Sequence, residues 1–151
     1  MGYSIGEAAK ITGLSVSTLR YYDRNDLIPG LGRSQGGTRV FTDQDIESIR
    51  VIECLKSTGM QLKDIKQFMA WCDEGDSTIS DRLSMFQNRL QEVEAQINDL
   101  QWIKEVLKFK CWYYESAASE GTTERLRNTP LGEIPEEYRQ AAAYLRNESQ
   151  S

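Results

Sequence analysis

Residues 11–29 of the chain read ITGLSVSTLRYYDRNDLIP. Within this stretch Gly13 supplies a turn, and Ser15 is a natural N-cap for the helix that follows it. The spacing of Ser4 and Glu7 is that of a capping box, which predicts another short helix just before Gly13. Two helices of about two turns each that meet at a glycine are typical of a helix-turn-helix unit.

The residues that follow predict a small hairpin and two more helices. Residues 30–38 are rich in glycine and lie between short β-prone segments, which favours a hairpin, or wing. Thr42 and Asp45 repeat the capping pattern and open a third helix. A fourth helix is predicted over residues 62–73, although Gln61 is a poorer cap than Ser or Asp.

A long helix with an apolar seam is predicted after residue 76. Its apolar residues recur at alternating spacings of four and three, the period of a coiled coil: Ile79, Leu83, Phe86, Leu90, Val93, Ile97 and Leu100. Such a helix, roughly 63 Å long at 1.5 Å per residue, cannot bury its seam against one small domain. We therefore expect a homodimer. Residues 121–135 are expected to form a loop and residues 136–146 a short helix.

Composition excludes several classes of protein. The 151-residue chain has no histidine, which removes Ser-His-Asp and Cys-His catalysis and every histidine-containing zinc site. It also lacks a phosphate-cradling glycine loop, so we predict that the protein is not an enzyme and needs no cofactor. Three cysteines without CxxC spacing indicate free thiols in a reducing compartment. No apolar run is long enough to cross a membrane, so we expect a cytoplasmic protein.

Charge is distributed unevenly along the chain. The formal net charge is −5, but residues 1–70 carry a net charge of +1 and residues 71–151 a net charge of −6. Residues 1–41 alone hold five basic and three acidic side chains. If the protein binds a polyanion, the contact must therefore be made by its N-terminal half.

The run Leu19-Arg20-Tyr21-Tyr22-Asp23 followed by Leu27-Ile28-Pro29 resembles the MerR family of bacterial transcription regulators. The resemblance extends to about Ala118. It implies a mainly α fold, with a winged helix-turn-helix DNA-binding domain in residues 1–74 and a dimerisation helix in residues 76–118. That helix would form an antiparallel coiled coil, and residues 119–151 would be an effector-side tail. The implied partners are double-stranded promoter DNA, a second copy of the chain and RNA polymerase.

Eight residues are candidate DNA contacts. Hydroxyl groups at the positive end of the second helix suit phosphates or base edges. An arginine on that helix can donate two hydrogen bonds to one guanine. Arginines that flank the wing and a lysine early in the fourth helix suit the DNA backbone. The candidates are Ser15, Ser17, Thr18, Arg20, Tyr21, Arg33, Arg39 and Lys63. Tyr22 is expected to pack inward. Thr38 departs from the family, most of whose members have an aromatic residue there.

One cysteine is a candidate effector sensor. Residues 41–60 and 73–82 are similar to a thiol-dependent, aldehyde-stress branch of the family (the NmlR and AdhR types). That branch has a lone cysteine in the third helix, so the resemblance implies that Cys54 reacts with a small electrophile. Arg50 lies one turn before it and would favour the thiolate. The alternative is that Cys54 is a small core residue.

Other functions remain open at the level of sequence. In an antiparallel pair, Cys72 would lie roughly opposite the partner's Cys111, which would allow a two-thiolate site for a soft ion, although we predict no metal site. A DNA-binding module of this kind also occurs in architectural proteins such as phage excisionases. Those proteins normally lack the coil.

An aromatic pocket is the alternative effector site. Trp112, Tyr113 and Tyr114 follow one another near the end of the long helix, with Glu105 and Glu115 nearby. Aromatic faces and carboxylates of this kind would suit an apolar or cationic small molecule. The same aromatics would equally serve to pack the end of the coil against the tail helix.

Overall fold

The structure is a computed structural model that describes residues 2–148. Met1 and residues 149–151, which belong to the first and last predicted segments, lie outside the described residues. The helices are α1 (Ile5–Thr12), α2 (Val16–Arg24), α3 (Asp43–Ser57), α4 (Leu62–Glu74), α5 (Ile79–Glu120), α6 (Glu124–Asn128) and α7 (Arg139–Glu148). The strands are β1 (Gly32–Arg33) and β2 (Arg39–Val40). The chain divides into two compact units, Met1–Arg89 and Leu90–Ser151.

Local capping sets the ends of the first two helices, as predicted. The Ser4 hydroxyl accepts a hydrogen bond from the Glu7 N–H at 3.3 Å, and the Glu7 carboxylate accepts one from the Ser4 N–H at 2.8 Å. Gly13 then ends α1 in the left-handed region, at φ 74°, a conformation that glycine adopts without steric cost. Ser15 caps α2, so the predicted helix-turn-helix is confirmed.

The predicted wing is present. Strands β1 and β2 are antiparallel, with Arg33 opposite Arg39. At the base of the hairpin the Tyr3 N–H donates to the Phe41 carbonyl at 2.7 Å, and the Phe41 N–H donates to the Tyr3 carbonyl at 2.9 Å. These two bonds tie the wing to the start of α1. Thr42 and Asp45 form the predicted capping box at the start of α3.

The core of the first unit gathers side chains from α1 to α4. Its largest fully buried members are Tyr22, Phe41, Leu19, Leu27, Ile49, Ile52 and Ile65. The first turns of α5 belong to the same unit, since Met85 packs against this core and the Phe86 ring meets the Phe68 ring edge-on at 5.2 Å. The burial of Tyr22 confirms its predicted inward position.

The long helix α5 has 42 residues and starts later than the predicted Ser77. A 3₁₀ turn, Asp76–Thr78, precedes it because the Thr78 hydroxyl donates to the Trp71 carbonyl at 2.6 Å and so holds the chain in a tighter turn. The predicted seam is exposed along the helix, with Leu90 58% and Leu100 63% exposed. No described helix has both the length and the apolarity needed to span a membrane.

The second unit corrects the prediction of a loop over residues 121–135. A short helix, α6, occupies residues 124–128, and a 3₁₀ turn follows at Leu131–Glu133. The side chain of Leu126 is 2% exposed, so burial of this one residue favours a helix that sequence pattern does not indicate. The predicted terminal helix begins as a 3₁₀ turn, Glu136–Tyr138, and continues as α7.

Candidate nucleic-acid interface

The first turn of α2 carries a cluster of hydroxyl groups. Ser15 Oγ accepts a hydrogen bond from the Thr18 N–H at 3.0 Å and lies 2.8 Å from Thr18 Oγ1. Ser17 Oγ lies 3.4 Å from Ser15 Oγ. Unpaired N–H groups and the helix dipole make a helix N-terminus attractive to phosphate. The start of α2 therefore offers both main-chain and side-chain donors to an anion.

The two faces of α2 differ sharply in exposure. Leu19 and Tyr22 are buried in the core, whereas Arg20 is exposed and Tyr21 is 45% exposed. In the part of the chain that the structure describes, Arg20 forms no ion pair. Its guanidinium donors are available to an external acceptor such as a base edge or a phosphate.

A groove of about 720 Å³ runs beside this exposed face. Its lining combines predicted contacts with residues that the sequence did not single out: Ser17, Thr18, Tyr21, Tyr22, Arg24, Lys56, Gly59, Met60 and Leu62. The groove brings the predicted Ser17, Thr18 and Tyr21 together. It also adds the cations of Arg24 and Lys56.

The position of Lys56 depends on a tertiary contact. Its Nζ donates to the Tyr22 hydroxyl at 2.8 Å and lies 3.6 Å from Glu53 Oε1, while the Tyr22 hydroxyl donates to Glu53. Burial raises the pKa of Tyr22, and the hydrogen bond to Tyr22 raises the pKa of Lys56. Lys56 therefore stays cationic at the groove. The two partners are 34 residues apart, so no local pattern signals the contact.

The start of α4 is another candidate phosphate site on this unit. Gln61 makes no side-chain capping bond, which agrees with its prediction as a poor cap. Lys63 is exposed in the first turn of the helix. The opening N–H groups of α4 and the Lys63 ammonium are together suited to a phosphate.

The two arginines of the wing have different surroundings. Arg33 is exposed, and its Nη1 lies 3.4 Å from the Gly37 carbonyl. Arg39 instead forms an ion pair with Asp23 of α2, and its side chain is 26% exposed. Arg33 is open to solvent on the hairpin, whereas Arg39 connects the hairpin to α2.

All three cysteines are free and exposed. Cys54 lies on the outer face of α3, whereas Ile49 and Ile52 of the same helix are buried. The alternative that Cys54 is a core residue is therefore wrong, because the inner face of α3 is filled by isoleucine and leucine. Arg50 lies one turn before Cys54, and its Nη1 is 2.6 Å from Glu47 Oε1.

The other two cysteines lie in different units. Arg82 Nη1 is 3.9 Å from Cys72 Sγ in the first unit, and Cys111 lines a surface cleft of the second unit. Within residues 2–148 there is no group of three or more histidine, cysteine, aspartate or glutamate side chains placed to hold a metal ion.

The three aromatic residues of the predicted effector pocket do not line one cleft together, although the Tyr113 and Tyr114 rings meet edge-on at 5.1 Å. Trp112 and Tyr113 are half-buried, and the Trp112 ring stacks on the Tyr138 ring at 5.4 Å. Tyr114 is 59% exposed and lines neither of the clefts described for this unit. Glu105 is paired with Lys108 at 3.0 Å. Trp112 and Tyr113 therefore pack the end of α5 against the tail.

Comparison with known proteins places the chain in a family. The family model for MerR helix-turn-helix regulatory proteins matches residues 3–71, and the model for the MerR DNA-binding region matches residues 46–108. A helix-turn-helix transcriptional regulator of Haemophilus influenzae is 40% identical over 136 residues, which cover 90% of this chain and 98% of that protein. The regulator AdhR of Bacillus subtilis is 32% identical over 60% of this chain and 64% of its own length.

A solved structure shows the same fold. The structure of HiNmlR, described as a MerR family regulator lacking the sensor domain and bound to promoter DNA, matches with a TM-score of 0.61 and 41% identity. The match covers 86% of this chain and 98% of HiNmlR. These relatives are transcription regulators rather than enzymes, as predicted, and they confirm the resemblance to the NmlR and AdhR types. The chain belongs to the MerR family of DNA-binding, helix-turn-helix transcription regulators.

Proposed function

We propose that the protein regulates transcription as a homodimer bound to a palindromic element in promoter DNA, where it acts with RNA polymerase. The exposed face of α2 carries the proposal. Ser15, Ser17 and Thr18 surround the helix N-terminus, and Arg20 and Tyr21 point away from a fully buried inner face. HiNmlR, at 41% identity, is described as bound to promoter DNA. Arg33 and Lys63 complete the proposed set of direct DNA contacts, and Arg39, which the sequence also predicted as a contact, is proposed to position the wing.

Each proposed contact has a separate task. The α2 residues enter the major groove, where Arg20 reads a base edge and the hydroxyls hold phosphates. Arg33 and Lys63 contact the backbone from the wing and from α4. Arg39 acts through Asp23, because their ion pair fixes the wing against the recognition helix.

A second copy of the chain is the proposed occupant of the α5 seam. Large apolar side chains along α5 remain exposed, and burying each one on association contributes roughly 1.5–3 kcal/mol. Residues 1–74 then form the DNA-binding domain, residues 76–118 the antiparallel dimerisation helix and residues 119–151 the tail. Two DNA-binding domains related by a two-fold axis require an inverted repeat in the DNA.

Cys54 is the proposed trigger, through addition of its thiol to a reactive aldehyde or another small electrophile. It is exposed on α3, the helix between the wing and α4, and Arg50 lies one turn before it. In the addition, the sulfur forms a bond to the carbonyl carbon, the carbonyl oxygen takes up a proton, and a hemithioacetal results. The added group would alter the surface of α3 beside the DNA-binding elements.

Induction from the protein's own promoter in cells tests the trigger. Cells that carry the wild type, Cys54→Ser, Cys72→Ser or Cys111→Ser are given formaldehyde or methylglyoxal. We expect only Cys54→Ser to lose induction while it still binds the operator in vitro. The two other cysteines are matched controls because they are exposed as well. A normal response of Cys54→Ser would contradict the thiol mechanism and leave the DNA-binding function standing.

A further inference from the structure

A cleft of about 420 Å³ lies between α5, α6 and the middle and last turns of α7 in the second unit. Pockets of 300–1,000 Å³ are typical of small-molecule sites. Its apolar wall is built by Phe109, Trp112, Tyr113, Leu126, Ile134 and Leu145. Phe109, Leu126 and Ile134 are each at most 6% exposed. The wall therefore consists of well-packed side chains, and the Trp112 and Tyr113 rings are half-exposed at its edge.

Every charged residue that lines the cleft is basic. Lys110 comes from α5, Arg127 from α6 and Arg146 from α7. Within residues 2–148 none of these three forms an ion pair with a carboxylate. Three cations around one cleft repel each other, and this repulsion is relieved when an anion lies between them.

The cations keep donors that are not used within the protein. Arg146 Nη2 donates to the Thr129 carbonyl at 2.7 Å, and Arg127 Nη2 lies 3.4 Å from Thr123 Oγ1. Lys110 Nζ stands 6.0 Å from the centre of the Tyr113 ring. Each contact orients the side chain and occupies only part of its donors.

The three basic residues of the cleft contrast with the negative net charge of the C-terminal half of the chain. Residues 71–151 carry a net charge of −6, so three unpaired cations at a single apolar cleft run against the general charge of the region. The carboxylates that would suit a cation lie elsewhere, since Glu105 is paired with Lys108 and Glu115 lines a different cleft.

We propose that this cleft binds an organic anion with an aromatic or branched apolar body. The body lies against Phe109, Trp112 and Leu145, and the carboxylate or similar group lies among the three basic side chains. The site contains none of the proposed DNA contacts and no cysteine. It is therefore a second ligand site, distinct from Cys54, and it selects an anion, whereas the aromatic sequence suggested an apolar or cationic ligand.

Calorimetry with three matched probes tests the proposal on the full-length protein. The probes are 1-naphthaleneacetate, the neutral 1-naphthaleneacetamide and the cationic 1-naphthylmethylammonium. We expect the anion to bind about tenfold tighter than the other two, because charge-assisted hydrogen bonds are stronger than neutral ones. The double variant Lys110→Gln/Arg127→Gln should reduce this preference to about threefold or less. Both residues are exposed, so the variant should fold normally.

The double variant Lys108→Gln/Arg125→Gln is the control. It removes one cation from α5 and one from α6, but neither residue lines the cleft, so the preference for the anion should persist. Bound anion should also shift the NMR signal of the Trp112 indole N–H and leave that of Trp71 in place. Equal affinity for the three probes, an unchanged preference in Lys110→Gln/Arg127→Gln, or no saturable binding would overturn the proposal.

Discussion

Three arginines of the DNA-binding domain have different surroundings and therefore different proposed roles. Arg20 and Arg33 are exposed, whereas Arg39 is held by Asp23. An arginine that is already paired with a carboxylate fixes one element against another, while an unpaired one is available to a phosphate or a base. Of the three, Arg20 stands on the helix that carries the hydroxyl cluster. It is therefore the residue best placed to read sequence.

Replacing Arg20 should weaken specific binding far more than non-specific binding. Loss of a bidentate contact to a base costs about 1–3 kcal/mol, or roughly 5- to 150-fold in affinity. Fluorescence anisotropy with an operator duplex and a scrambled duplex measures both quantities for Arg20→Ala. Lys66→Ala is the control, because this exposed lysine of α4 lies near Asp26 and outside the proposed contacts. Wild-type operator affinity in Arg20→Ala would show that another residue reads the DNA.

At the level of elements, local chemistry accounts for what the sequence predicts. Capping by Ser4, Ser15 and Thr42 involves atoms within four residues, so the starts of α1, α2 and α3 follow from sequence alone. Helix α6 does not follow, because it depends on the burial of Leu126, which lines the same cleft as Phe109 and Ala142, both distant in sequence.

The residues of the candidate sites also fall into two groups, those that local sequence predicts and those that depend on tertiary contacts. Ser15, Ser17 and Thr18 share one helical turn, and their grouping follows from sequence. Lys56 enters the groove only through its bond to Tyr22, and the unpaired state of Lys110 depends on which carboxylates lie nearby in space. Tertiary contacts decide both, so sequence periodicity cannot reveal them.

The α5 seam should determine the oligomeric state. Leu90 lies near its middle and is 58% exposed in the single chain. Leu90→Glu removes apolar area and adds a charge on each copy, so we expect a monomer in light scattering coupled to gel filtration. Gln91→Glu adds the same charge to the next residue, outside the seam, and should remain dimeric. A dimeric Leu90→Glu protein would place the interface elsewhere.

For the whole molecule, the uneven distribution of charge along the chain explains how an acidic protein can bind DNA, which is itself negatively charged. The sequence pI is about 4.9, yet residues 1–70 are net positive and the acidic excess lies in residues 71–151. Binding to DNA should therefore use residues 1–70 and weaken steeply as salt rises, since phosphate contacts release counterions.

Footprinting of the full-length protein on its own promoter region tests the central claim, a two-fold symmetric dimer on DNA. We expect protection of one inverted repeat whose half-sites fill together, and we expect Leu90→Glu to lose protection of both half-sites at the same protein concentration. Gln91→Glu should protect the repeat like the wild type. Protection of a single asymmetric site, or full protection by monomeric Leu90→Glu, would contradict the account.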